Sequence, residues 1–420
     1  MNTENTFNKV IATILIYSHF LVGCVANNPG SGNVKPGPKP SSSYESESKN
    51  ATAVTAIKTN TKLDVVIPVF DPGLSEKAEN YEEEGVWPEL RRAEANRFAY
   101  KLKQALDKTG AFGAVRVTPD TQTTGDLYLI GKIKESDGED VEIQLSAVDI
   151  TGKQWLDKSF SHTVKEGFYK DIRKKGRDAY DPLFEDAANA VIEELKDKEN
   201  TELTEIKQIS KLRFGASFNA EAFNEYMVQE RGFYKVASLP SDNDPMVERV
   251  NAIQIREQLF VDNLQQNYAA FSSNMEDSYL KWQEASYTEN KLRSEAKTKG
   301  VLKALGGALL LGLSIAAAVS GDGSSNVDVG SVATSTAVVA GGIAGAWMLS
   351  SSFQSFEEAK FHKEAIDELG ESVNMEMAPQ VVSFEEETVE LTGNVKEQYE
   401  QWRAFLQRIY EQEATPTTQL

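Results

Sequence analysis

Side chains able to do covalent or proton-transfer chemistry are scarce in this chain. It has three histidines and one cysteine in 420 residues. His19 belongs to an apolar run near the start, which leaves His162, at the end of an expected strand, and His362, on an expected charged helix. A nucleophilic triad needs a positioned base, and both of these read as partly exposed surface histidines. No HExxH or other two-histidine spacing occurs, and a single thiol builds neither a thiolate cluster nor an intrachain disulfide. The segment from Gly125 to Gly131 followed by Lys132 misses the phosphate-loop spacing, lacks its Ser or Thr, and falls on an expected strand. The acidic runs Glu82–Glu84 and Glu385–Glu387 read as solvated faces. No cofactor, no metal and no enzymatic activity is expected. Hydrolysis by paired carboxylates stands as the catalytic alternative, although no residue points to it.

One basic patch interrupts a chain whose formal charge is −20. Lys165, Lys170, Arg173, Lys174, Lys175 and Arg177 follow one another with Phe168, Tyr169 and Tyr180 between them. Such a cluster suits phosphate or carboxylate groups, so Lys170, Arg173, Lys174, Lys175 and Arg177 form a candidate anionic docking patch. The plainer alternative is a solvated loop between strand and helix. The overall acidity repels nucleic acid, and none is expected as a partner.

The elements that hold this patch read from residue 61 onward. Leu63 to Phe70 is a buried strand ended by Asp71-Pro72-Gly73. Pro88 opens a helix in which Leu90, Phe98, Leu102 and Leu106 recur at helical spacing, and Gly110 closes it. Strands follow at Gly113–Val117 and Asp126–Ile133, then a strictly alternating one at Val141, Ile143, Leu145 and Ala147, joined to its neighbours by turns at 136–139 and 150–153. A second helix runs from Pro182 to about Lys196. The expectation is an α+β fold, a small sandwich of antiparallel-rich sheet with both helices on one face, followed by an all-α region with a long helical hairpin. Beyond Asn200 strand signals disappear. Asp244-Pro245 starts one long helix striped by Ile253, Phe260, Leu264, Tyr268, Phe271, Met275, Tyr279 and Trp282. Segments 354–369 and 383–412 read as charged amphipathic helices that fold back along it as a stalk.

Two stretches are nearly free of charge: 301–319, with Lys303 alone, and 329–353. About twenty helical residues match the ~30 Å of a hydrocarbon core. Small residues recur every fourth position, at Ala304, Ala308, Gly312, Ala316 and Ser320, then at Ala333, Ala337, Gly341 and Gly345. On helices these line one face, and close backbone approach along such faces is how helices associate in lipid. The expectation is a glycine-zipper hairpin packed through Ala308, Gly312, Ala316, Ala337, Gly341 and Gly345, inserted in a membrane and oligomerising. Lys297, Lys299, Glu357, Glu358 and Trp347 lie where flanking and interfacial residues belong. The hydroxyls of Ser331, Thr334, Ser335 and Thr336 keep open the alternative of a buried hairpin in a soluble oligomer.

The start of the chain carries a specific resemblance. An apolar run from Val10 to Val22 ends in Leu21-Val22-Gly23-Cys24, which resembles the lipobox of bacterial lipoproteins. This implies removal of a signal peptide at 1–23, lipidation of Cys24, export, and a membrane-lipid partner. Val25 after the cysteine implies the outer membrane, facing the periplasm. So does a hairpin tip that carries Asp322 and Asp328 with no Lys or Arg. Residues 24–60, rich in Pro, Gly and Ser, read as a flexible tether. The element order over 62–197 resembles the small periplasmic domain of the curli-export channel lipoprotein and the amino-terminal part of TolB-like proteins, implying assembly or docking. The expected organisation is therefore an α+β periplasmic domain at 61–200, a helical region at 201–300, the apolar hairpin at 301–353 and a helical C-terminal region at 354–420. The expected function is that of a non-enzymatic cell-envelope docking component that forms homo-oligomers and meets another envelope protein. Its alternative is a wholly periplasmic scaffold whose hairpin is a protein–protein interface.

Overall fold

The computed structural model describes residues 61–74, 87–241, 243–298, 380–384 and 387–414. Cys24, the 24–60 tether, the small-residue stripe at Ala308, Gly312, Ala316, Ala337, Gly341 and Gly345, His362 and the 354–369 segment lie outside the described residues.

The fold is α+β. A five-stranded sheet in the order β2-β1-β3-β4-β5 is built from β1 (Val65–Pro68), β2 (Val115–Thr118), β3 (Leu127–Ser136), β4 (Asp140–Asp149) and β5 (Gln154–Thr163). β1 runs parallel to both β2 and β3, whereas β3, β4 and β5 form an antiparallel meander. Period-two side-chain alternation explains the register. Leu129 lies opposite Ala147 and Ile133 opposite Ile143, which in turn faces Phe160, so one apolar face is continuous across three strands.

Helix α1 (Pro88–Asp107) packs on β1, β2 and β3, and α2 (Asp181–Lys196) packs on β4, β5 and α1. Phe98 joins the two helices, its ring edge-on to Phe184 at 5.1 Å. Gly131, in the segment that misses the phosphate-loop spacing, has a packing role. A Cβ on Gly131 would enter the Phe70 ring at 2.4 Å, so the strand stays bare there to admit the aromatic side chain.

Past residue 200 the structure departs from expectation. Helix α3 (Asn200–Phe218) buries Leu203, Ile206, Ile209 and Leu212, and Ser210 donates to the Gly125 carbonyl at 3.3 Å, so this helix belongs to the same body as the sheet. A short helix α4 (Ala220–Asn224) follows. Strands do recur: β6 (Met227–Glu230) pairs with β7 (Phe233–Val236), and β8 (Gln380–Phe384) pairs with β9 (Glu387–Leu391). The helix expected over 383–412 is therefore a hairpin up to Leu391 and a helix, α6 (Val395–Ala414), only afterwards. Gly393, at φ +94°, and the reciprocal cap between Asn394 and Glu397 set that boundary.

The long helix is present as α5 (Pro245–Thr298), 54 residues or about 80 Å, opened by Asp244 accepting from the Met246 amide at 2.8 Å. All eight residues of its expected stripe are buried. Their partners are α1, β2, α3 and α6, so this helix lies along the α+β body rather than standing off as a stalk. It also covers a sheet edge. The Gln265 side chain both accepts from the Val117 amide at 2.9 Å and donates to the Val117 carbonyl at 2.8 Å, satisfying β2 as a neighbouring strand would. Among the described residues no helix is long and apolar enough to cross a membrane.

Candidate docking loop and helix clamp

The basic patch occupies the loop between β5 and α2. Val164 ties the loop to the β3–β4 turn through its amide and the Glu139 carbonyl at 2.8 Å, and Gly167, at φ +83°, turns the chain. A single 3-10 turn, Ile172–Lys174, follows, capped by Asp171. Arg173 folds back on Asp171 in a two-point contact, 3.0 Å from each carboxylate oxygen, and this contact lowers the Asp171 pKa. Lys174 sits over the Phe168 ring at 5.0 Å. Lys170 and Lys175 are exposed and have no ion-pair partner among the described residues, and Arg177 is also exposed. Ile172, which no sequence pattern singled out, stands 86% exposed in the middle of these cations.

Tyr180 does not belong to the patch. It is wholly buried and accepts the Gly138 amide at 2.7 Å, because the chain turns inward at Asp178. Phe168 and Tyr169 form a half-buried base for the loop, and the Tyr169 ring reaches Tyr287 of α5 at 5.3 Å. The loop therefore rests on the last part of α5, about 16 Å of helix before Thr298. The β3–β4 turn meets the same region. Gly138 lies so close that a Cβ would be 2.4 Å from the Ser286 Cβ, and Lys291 pairs with Glu139 at 2.5 Å.

Beneath the loop lies a buried ionic cluster drawn from three segments. Arg97 of α1 is 0% exposed. It pairs with Asp178 at 2.6 Å and Glu276 at 2.5 Å, bonds the Ser272 carbonyl at 3.3 Å, and lies 4.5 Å from the centre of the Tyr279 ring. Lys101, at 3.3 Å, and Gln283, at 2.8 Å, complete the surroundings of Asp178. Burial pushes the Asp178 carboxyl up, but Arg97 and Lys101 more than reverse this and hold it at about 2. Glu94 goes the other way. Burial raises its pKa against the pull of Arg91 and the hydrogen bonds from Ser136, at 2.5 Å, and Tyr279, at 2.8 Å.

A second clamp holds the amino-terminal part of α5 to α6. Glu257 accepts from Tyr399 at 3.0 Å and from Arg403 at 2.8 Å, and Tyr399 is bonded to Thr123 at 2.8 Å. Burial raises the Glu257 pKa, and Arg403 restrains it. Phe260 stacks on Trp402 at 5.3 Å beside it. Neither clamp was expected, since isolated acids and bases in an acidic chain read as solvated.

His162 lies opposite Val141 on β4, half-buried, and burial lowers its pKa. Among the described residues no three His, Cys, Asp or Glu side chains gather as metal ligands. What this arrangement can do chemically is electrostatic: it presents cations on an exposed loop and fixes a long helix to the sheet beneath. No protein-family model, curated protein or solved structure matches this chain.

Proposed function

We propose that this chain is a non-enzymatic lipoprotein of the outer membrane, held by a lipid on Cys24, whose α+β body docks an envelope partner or further copies of itself while the 301–353 segment inserts and oligomerises. The observation that carries this is the attachment of α5. One end of the helix is clamped by Glu257 and Arg403 and its middle by Arg97, Asp178 and Glu276, and the sequence beyond Thr298 continues into the two nearly chargeless stretches. A helix fixed at two buried charge clusters transmits force or orientation between its ends. The basic loop rests on the part of α5 nearest these nearly chargeless stretches, where phosphate or carboxylate groups of a membrane surface would meet Lys170, Arg173, Lys174, Lys175 and Arg177.

Carbonate extraction of a Cys24→Ala chain tests the insertion. Retention in the membrane pellet without the lipid supports it, and release into the soluble fraction removes it. Gly312→Leu with Gly341→Leu is expected to reduce oligomer size. The Ser and Thr hydroxyls in the second stretch favour one other function, that of a wholly periplasmic scaffold. In that case the lipid-free chain is released but keeps its oligomeric size.

A further inference from the structure

The loop between β5 and α2 has a built shape that its charge alone does not explain. Gly167, at φ +83°, and Gly176, at φ +75°, bracket it. Between them the backbone turns on itself. The Lys170 and Asp171 amides both donate to the Gly167 carbonyl at 3.1 Å, and the Lys174 amide donates to the Asp171 carbonyl at 2.8 Å. The Asp171 side chain also accepts from the Arg173 amide at 3.1 Å. Phe168 lies edge-on to Tyr169 at 5.0 Å, and Tyr169 meets Tyr287 of α5 at 5.3 Å, so the turn stands on an aromatic base. This hydrogen-bonded frame holds Ile172 at 86% exposure, more than any other large hydrophobic side chain among the described residues. A single exposed aliphatic is ordinary on a protein surface. Its neighbours make this one informative.

Segment 165–177 carries six cations against two acids, within a chain of net charge −20. Not all of those cations are available. Asp171 grips the Arg173 guanidinium at two points, 3.0 Å each, and Lys174 is drawn over the Phe168 ring, 5.0 Å from its centre. Lys170 and Lys175, on either side of Ile172 in the chain, are exposed and enter no ion pair among the described residues. The tip therefore offers two ammoniums and one aliphatic side chain. That set discriminates between partners. A carboxylate surface on another protein is best met by a guanidinium in two-point contact, and here the guanidinium beside Ile172 is already engaged. A protein interface seats its apolar anchor in a shaped pocket within a buried area of about 800 Å² per side, yet no other large hydrophobic side chain of this loop is exposed. A lipid surface needs neither. Point charges on flexible stems follow a mobile layer of phosphates, and the acyl boundary accepts a lone aliphatic without a pocket.

We infer that the 165–177 loop is a lipid-surface anchor in which Ile172 enters the acyl boundary, Lys170 and Lys175 meet headgroup phosphates, and Asp171 holds Arg173 in reserve as a further cation. This rests on the reading of the chain as membrane-attached. It adds the mode of contact, which is insertion of one side chain between two charges, and a restraint on that contact by a carboxylate in the same turn.

Cys24 is the only cysteine, so a full chain with Cys24→Ala and Ile172→Cys takes a single nitrobenzoxadiazole label at the loop tip. On vesicles of phosphatidylethanolamine and phosphatidylglycerol its emission should shift to the blue and be quenched by a nitroxide on the upper acyl chain, and phosphatidylcholine alone should do neither. A label at Gln229→Cys should stay in water, because the exposed β6–β7 hairpin lies beside the β4–β5 turn, at the other end of β4 from the loop. Lys170→Gln and Lys175→Gln should each raise the anionic lipid needed for half the shift about fivefold. Asp171→Asn keeps an oxygen to cap the Arg173 amide but releases the guanidinium, and should lower that requirement about fivefold. Amide exchange reads the loop without a label. Residues 170–177 of the Cys24→Ala chain should slow at least about tenfold on anionic vesicles, Ile172→Leu should keep this protection and Ile172→Ser should lose it. A tip that stays in water, an equal shift at Gln229, no gain from Asp171→Asn, or full protection in Ile172→Ser overturns the anchor. So does an equal shift with polyglutamate, which assigns the loop to an acidic protein. Carbonate extraction reads only the 301–353 segment, so failure of the loop and failure of the inserted hairpin are told apart.

Discussion

Replacing Arg97 by methionine removes a guanidinium that holds Asp178, Glu276 and the Ser272 carbonyl and stacks on Tyr279. Methionine fills much of the space and supplies none of the charge. Breaking one side of a buried ion pair costs about 3–5 kcal/mol, mainly because the remaining charge is stranded. Two features pull toward the lower figure: Lys101 stays 3.3 Å from Asp178, and Glu276, 34% exposed, can rehydrate. A loss of about 3 kcal/mol is expected from guanidinium denaturation followed by tryptophan fluorescence. Adding Asp178→Asn should recover part of it by removing the stranded charge. The acid limb gives an independent check. Asp178 sits at about 2 in the folded chain, below its unfolded value, so the stability it contributes is present above roughly pH 4 and is lost as pH falls toward 2. That component is on the order of 2 kcal/mol and should shrink in Arg97→Met. Glu94, raised by burial, acts oppositely: its contribution is full at low pH and is lost as pH rises through its folded value. A loss below about 1 kcal/mol in Arg97→Met, with an unchanged acid limb, would show that the cluster does not hold α5 to the sheet.

Four further outcomes follow from the same geometry. Arg403→Ala leaves Glu257 buried with Tyr399 as its remaining described partner. It should cost about 3 kcal/mol near neutral pH and less near pH 5, where Glu257, already raised, takes up its proton more readily. Gly138→Ala must adopt φ +93° and drive its Cβ toward Ser286 and the Tyr287 backbone nitrogen at 2.9 Å. It should cost about 1–3 kcal/mol and speed amide exchange in α5 around residues 283–290. Lys170→Glu with Lys175→Glu touches no described ion pair. It should change stability by less than about 0.5 kcal/mol while reducing sedimentation of the lipid-free chain with anionic phosphatidylglycerol vesicles, an effect that fades with salt. Ile172→Asp should weaken the same sedimentation without changing the melting temperature, since the side chain it replaces is already in water.

Several elements were legible because their signal is local. The strict alternation from Val141 to Ala147 reports a strand with one face buried, and the Asp244-Pro245 start with its apolar stripe reports α5, wherever the rest of the chain lies. The β6–β7 hairpin gave no such signal. Its strands are four residues each, and in β6 only Met227 is buried, so no period could register. For 380–414 a boundary signal did exist in Gly393-Asn394 with Glu397 three residues on, a turn glycine followed by a reciprocal cap, and a helical stripe over the whole stretch concealed it.

By itself the sequence determined which segments are helix or strand where the repeat is long enough, which residues can be lipidated or charged, and which reactive groups exist at all. Tertiary structure alone decided which charges are buried. Arg97, Asp178 and Glu276 come from segments far apart in the chain, and so do Glu257 and Arg403. It also decided that Tyr180 leaves the basic patch for the core. The physical reason is that periodicity encodes an element's own burial face, whereas the partner of a charged or hydroxyl group depends on how separate elements pack, and no local repeat carries that information.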